Sequence, residues 1–152
     1  MKSFFLFLII FLGNITVFTV NCRGDQGNDE VIVDNSGSSN FSGYRVIIDA
    51  DGQVSVMSRG RNSRNTAFQN GQYTLPVGEV KKLVSDLEAV MPLSGLESIG
   101  CAKSASFGTS TFVTFKDQTS PDIQCVKGQD FIKDIADIMQ AIPRAQNGVK
   151  LP

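Results

Sequence analysis

Apolar residues along this chain recur with a period of two in some stretches and of three to four in others. Tyr44-Arg45-Val46-Ile47-Ile48-Asp49 places Tyr44, Val46 and Ile48 on one face of a predicted strand. Ala50-Asp51-Gly52 is turn chemistry, since Asp-Gly readily supplies the positive φ of a tight hairpin. Gln53-Val54-Ser55-Val56-Met57 then returns as the partner strand with Val54 and Val56 inward. Residues 58–76 are polar and irregular, and Tyr73-Thr74-Leu75-Pro76 leads into a helix. There Val80, Leu83, Val84, Leu87, Val90 and Met91 share one side, and Lys81, Lys82, Ser85, Asp86 and Glu88 the other; Pro92 and Gly95 end it.

The second half repeats the order. Thr111-Phe112-Val113-Thr114-Phe115 is a strand former, Lys116-Asp117-Gln118-Thr119 turns it, and Asp122-Ile123-Gln124-Cys125-Val126 is predicted to come back. Gly128 breaks the strand and Asp130 opens a second helix. Phe131, Ile132, Ile135, Ile138, Met139 and Ile142 follow the helical period until Pro143 stops it. The predicted fold class is α+β: an antiparallel sheet from two hairpins with two helices on one face, in the order ββα-ββα. Two units of roughly fifty residues hint at a pseudo-repeat, though the halves are not similar enough in sequence to establish duplication.

What precedes the domain bears on where it works. Met1-Lys2-Ser3 and the apolar run Phe4–Leu12, continuing mixed to Val20, have the one-charge-then-apolar pattern of a secretory signal, assigned to residues 1–21. The competing reading is an uncleaved anchor, for which the 17 residues Phe4–Val20 are marginal, since they include Gly13, Asn14, Thr16 and Thr19. Cys22 follows directly, where bacterial lipoproteins carry the residue that becomes acylated, although Thr19 and Asn21 depart from the common motif. A freely secreted chain is the alternative. Residues 22–42, rich in Gly, Ser, Asn and Asp and broken only by Val31-Ile32-Val33, read as a flexible tether with room for one short strand. The domain is assigned to 43–145 and a C-terminal tail to 146–152.

Composition narrows the chemistry. Fourteen basic residues face fifteen acidic ones, so charge gives no reason to expect nucleic acid. No histidine is present, which excludes Ser-His-Asp and Cys-His catalysis. The three cysteines are an odd number for an oxidising compartment. Acylation of Cys22 would leave Cys101 and Cys125 to form a disulfide, and two buried free thiols are the alternative.

Three segments resemble a group of uncharacterised exported bacterial proteins: Gly43-Tyr44-Arg45-Val46-Ile47-Ile48-Asp49-Ala50-Asp51-Gly52, Cys101-Ala102-Lys103-Ser104-Ala105-Ser106-Phe107-Gly108-Thr109, and Ser120-Pro121-Asp122-Ile123-Gln124-Cys125. The resemblance covers roughly residues 43–142. It implies the domain limits and the cysteine pair, and no chemistry.

The candidate sites are few. Arg59, Arg61 and Arg64 form a basic loop with no acidic residue between Asp51 and Glu79, able to meet an anionic surface or partner, or simply to be solvated. Ser104 or Ser106 with Lys103 is a conceivable Ser-Lys pair, but a catalytic lysine must be desolvated and nothing in the segment demands that. Asp49-x-Asp51-Gly52 is similar to the start of a calcium loop, but Val54, Val56 and Met57 follow where further oxygen ligands belong. Asp130, Asp134 and Asp137 share the predicted solvent face of the second helix, without the histidine or cysteine that zinc would normally want. Asn40-Phe41-Ser42 and Asn14-Ile15-Thr16 fit the glycosylation pattern, the latter inside the targeting segment.

The expectation is an envelope-anchored, non-enzymatic binding or structural module, held to the membrane through its lipid, with no cofactor or metal and an envelope protein as partner. Two rivals stand beside it: an inhibitor-like domain that offers the loop Ala102–Gly108 to an envelope enzyme, and a small hydrolase using a Ser-Lys or carboxylate pair.

Overall fold

Val31 and Val33, Val46 and Ile48, Val54 and Val56, and Val113 and Phe115 are four pairs of residues, two positions apart, that lie wholly out of solvent or nearly so. Because side chains alternate across a strand, these pairs fix which side of the sheet is the inside. The computed structural model describes residues 29–59, 68, 70–104 and 108–146, with backbone alone from 143. Its strands are β1 (Val31–Asn35), β2 (Gly43–Ile48), β3 (Gln53–Arg59), β4 (Gly71–Thr74), β5 (Thr111–Phe115) and β6 (Gln118–Thr119). They form one antiparallel sheet in the order β4-β3-β2-β1-β5-β6. The helices are α1 (Val77–Ala89) and α2 (Asp130–Gln146).

The α+β class and both inward-facing strand sets agree with the sequence reading; the ββα-ββα order does not. The order is four strands, α1, two strands, α2. Two elements account for the difference. β1 lies within 22–42, the stretch assigned to a tether, yet it is a central strand that pairs with β2 through Val33↔Val46 and with β5 through Val33↔Val113. The ordered sheet therefore begins at Val31, not at residue 43. β4 lies in the stretch assigned to irregular chain and pairs with β3 through Val54↔Tyr73.

The return of the second hairpin is also shorter than expected. Lys116 and Asp117 both adopt positive φ (47° and 59°), the two-residue turn that suits the twist of adjoining strands, so Phe115 pairs directly with Gln118. Pro121 has no N–H to extend the ladder. Ile123–Cys125 is a 3-10 turn whose Gln124 amide is capped by the Asp122 side chain, not the strand that was expected. At the other end of the chain, α2 runs through Pro143 to Gln146, one turn past the predicted stop.

Both helices close over the same side of the sheet. Val80, Leu83 and Leu87 of α1 and Phe131, Ile135, Ile138 and Ile142 of α2 join the inward strand residues, with Leu93, Phe68 and Leu75, in one buried cluster. A polar clamp fastens the helices to each other: the Lys82 ammonium bonds Asp86 of its own helix (2.8 Å) and Asp134 of α2 (2.6 Å). Asp134 thus turns toward α1 and leaves the solvent face assigned to it, whereas Asp130 and Asp137 are exposed. Burial raises the Asp134 carboxyl above the usual range, while the hydrogen bond from Lys82 lowers Asp86.

α1 runs across the strand ends. Its first residue lies beside Gly52, whose carbonyl accepts from the Leu75 amide (2.8 Å), and Glu88 in its last turn pairs with Lys116 at the β5–β6 turn. Thirteen residues of helix are about 20 Å long. Four inter-strand steps, from the β3/β4 side to the β5/β6 side, come to about 19 Å. The helix length matches the width it has to cross.

Candidate functional site

The same alternation that builds the core sends a second set of side chains to the opposite face. Among the described residues no element packs on that face. Two rows cross it. Ser55, Ile47, Ile32, Thr114 and Thr119 lie in register from β3 to β6, with the hydroxyls of Thr114 and Thr119 bonded at 2.9 Å. Beside them Met57, Arg45, Asp34 and Phe112 form the second row. Arg45 meets Asp34 with Nε at 3.0 Å and Nη2 at 2.6 Å, the forked geometry that suits guanidinium and carboxylate. Arg59 reaches the same carboxylate with Nη2 at 2.7 Å. Hydrogen bonding to Asp34, then its charge, holds the Arg45 guanidinium protonated even above the usual arginine range.

Two guanidiniums therefore share one carboxylate on an accessible surface. Arg45 keeps 38% of its side chain exposed, Asp34 21% and Met57 45%. Ile32, Ile47 and Phe112 are half-buried around the charges. The chemistry available is recognition: flat apolar area, aligned hydroxyls and surplus N–H donors. Nothing in the row can act as a nucleophile paired with a base.

The expected sites divide as follows. Arg59 stands at the edge of this face with its charge met by Asp34; Arg61 and Arg64 lie outside the described residues. Cys22 and the segment 1–21 also lie outside them. Cys101 and Cys125 form a disulfide, with Cα atoms 5.5 Å apart. Asp49 uses its carboxylate as a turn device, Oδ1 accepting from the amides of Asp51 (3.0 Å) and Gln53 (2.8 Å), so the hairpin accounts for it. Among the described residues no three His, Cys, Asp or Glu side chains converge as a metal would require.

Lys103 is the centre of a polar network, not of a catalytic pair. Its ammonium donates to the Asp122 carboxylate, the Thr109 carbonyl, Ser110 Oγ (3.4 Å) and Gln124 Oε1 (3.1 Å). A lysine base needs a free lone pair, and here three N–H bonds are spread over four acceptors. Burial raises the Asp122 carboxyl, but hydrogen bonds from Lys103, the Thr111 amide (3.1 Å), Ser110 and the Gln124 amide (3.2 Å) outweigh that and lower it below its usual value. The network continues through Gln124 to Thr111 and from there to Asn35, which bonds Thr111 Oγ1 at 2.9 Å in the buried end of β1. It ties the disulfide-linked segment to the start of β5. Ser104 is exposed, Ser106 lies outside the described residues, and so does the middle of the loop Ala102–Gly108.

Sequence reasoning missed Asp34, Arg45 and Phe112 as a group. Arg45 and Phe112 were legible as outward positions of their strands. Their meeting was not, because Asp34 joins them and its strand lies in the stretch assigned to a tether. The sequence matches no protein-family model and none of the curated proteins with which it was compared.

Proposed function

We propose that the chain is a cell-envelope lipoprotein, acylated at Cys22, whose domain is a non-enzymatic binding module that engages an envelope protein through the open face of its sheet. The observation that carries the reading is the row Met57–Arg45–Asp34–Phe112. One side of these strands is sealed under both helices, and the other presents apolar and charged side chains in register. An antiparallel sheet is stable with one face solvated, so the core does not require this composition. Aromatic, methionine and arginine side chains are the types enriched where proteins meet. The commitment of Lys103 to Asp122 removes the support for a Ser-Lys hydrolase. The compartment is argued from the N-terminal apolar segment that leads into Cys22.

Photo-crosslinking in the native host tests the contact face. A photoreactive residue at Met57 or Phe112 is expected to give one discrete adduct, and the same residue at Lys133 or Gln140 of α2 none. Adducts from α2 alone would refute the assignment. Intact mass of the protein from native membranes tests the anchor, with cleavage before Cys22 and added acyl chains as the expected result.

A further inference from the structure

The end of the domain from which the chain leads back toward Cys22 is defined by several independent contacts. Asp29 lies 3.9 Å from Lys116 in the β5–β6 turn, and a shallow groove of about 250 Å³ at this end is lined by Asp29, Ala50, Val80, Lys81, Val84 and Glu88. Val31, two residues on, pairs with Ile48 at the last step before the Asp49–Gly52 turn. The tether thus leaves from the end crossed by α1. Arg45, Asp34 and Arg59 lie toward the opposite end, beside Asn35 and the Ser36–Ser110 bond that close the other termini of β1 and β5.

We infer that the anchored domain stands with its α1 end toward the membrane, facing a neutral headgroup layer, and holds the Arg45–Asp34–Arg59 row outward. This rests on acylation of Cys22. Seven residue steps from Cys22 to Asp29 reach about 25 Å at full extension. A domain of this length has a radius of gyration of about 13 Å, hence a breadth of roughly 35 Å. Inverting it would require the tether to run the whole side of the domain, which it is too short to do. Charge sets the spacing from the bilayer, not the orientation. Among the described residues, Asp29, Glu30, Asp49, Asp51, Glu88 and Asp117 outnumber Lys81 and Lys116 toward the tether end, whereas Arg45, Arg59 and Lys103 lie toward the other with Asp34 and Asp122. A surface with that acidic surplus is repelled by anionic lipid over about a Debye length, some 8–10 Å at physiological salt. The domain stands off the bilayer and does not lie on it.

The test separates geometry from natural acylation. The chain beginning at Cys22, with its disulfide oxidised, is coupled through the Cys22 thiol to maleimide-bearing phosphatidylcholine vesicles doped with a gadolinium-chelate lipid. Relaxation enhancement of backbone amides is then read by NMR. The expected enhancement at Asp51, Gly52, Lys81, Ser85 and Asp117 is at least fivefold that at Ser38, Asn40 and Arg59. Equal enhancement at both ends, or the reverse order, overturns the orientation. Adding phosphatidylglycerol is expected to reduce the enhancement at the α1 end, and an increase there overturns the stand-off. Intact mass of the native protein is the separate check on the anchor: an unacylated Cys22 removes the reading on which the orientation rests, and the vesicle result is independent of it.

Discussion

Replacing Asp122 by alanine tests whether the polar network holds the disulfide-linked segment to the sheet. Asp122 Oδ1 accepts from the amides of Thr111 and Gln124, and Oδ2 meets the Lys103 ammonium. Thr111 is buried, so its amide loses a partner where water is scarce, at a cost of about 1–3 kcal/mol. Loss of the cap on Gln124 costs about 1 kcal/mol. The Lys103 side chain keeps 23% exposure, so the ion pair is discounted to about 1 kcal/mol. The expected loss is about 3–5 kcal/mol, a large part of the roughly 5–15 kcal/mol a domain possesses. In thermal terms it is a fall of about 12 °C or more. Asp122→Asn keeps an acceptor for the two amides and is expected to cost only about 1 kcal/mol, whereas Lys103→Met removes the charge interaction together with the bonds to the Thr109 carbonyl and Gln124 and is expected to cost about 1–2 kcal/mol. Urea unfolding followed by circular dichroism measures all three, and the asparagine–methionine double variant closes the cycle. The sign of the pH dependence follows from the lowered carboxyl. The stability contributed by Asp122 is complete above its ordinary value of 3.8 and is lost as pH falls through the lower folded value. The gap between the native protein and the alanine variant should therefore narrow as pH falls below about 4. An alanine variant that costs under 1 kcal/mol, or an asparagine variant that costs as much as alanine, would refute the reasoning.

Three further outcomes follow from the packing. Replacing Cys101 and Cys125 by serine opens a loop of 24 residue steps and should lower stability by about 3–4 kcal/mol on the chain-entropy account, read as a shift in the urea midpoint. Phe131→Ala, at a wholly buried site beneath the sheet, should cost about 3–5 kcal/mol in the same measurement. Gly52→Ala should cost about 1–3 kcal/mol by calorimetry, because Gly52 sits at φ +84° and an added Cβ would come 2.5 Å from the Leu75 carbonyl oxygen.

Local signals in the sequence carried as far as local structure determines the outcome. The Asp49–Gly52 hairpin, the β5 strand and the inward sides of both helices follow from patterns within ten or fifteen residues, and the structure has them. Val31–Asn35 was read as no more than a short strand within a tether. Val31-Ile32-Val33 has strand propensity, but its place inside the sheet is specified by partners at Val46 and at Val113, eighty residues away. Pairing of that range is a tertiary effect that propensity does not report. The β4 strand, Gly71–Thr74, is similar: its four residues are a strand because the β3 edge is there to receive them. The candidate face was half legible for the same reason. The outward parity of Arg45 and Phe112 is written in their strands, but the carboxylate that organises them arrives from a strand placed within the tether.

The position of β1 has a mechanical consequence. Its preceding residues lead toward Cys22, so under the proposed acylation of that residue any load between anchor and domain would enter the sheet along this interior strand. In antiparallel ladders the hydrogen bonds lie perpendicular to the strands, so a pull along β1 strains its bonds to β2 and to β5 together and in shear. Had the anchor led into an edge strand such as β4, the same force could peel one bond at a time from a single ladder. Under the proposed acylation of Cys22 the domain would be attached through an interior strand, and a partner bound to the open face would be held against tension by two ladders instead of one.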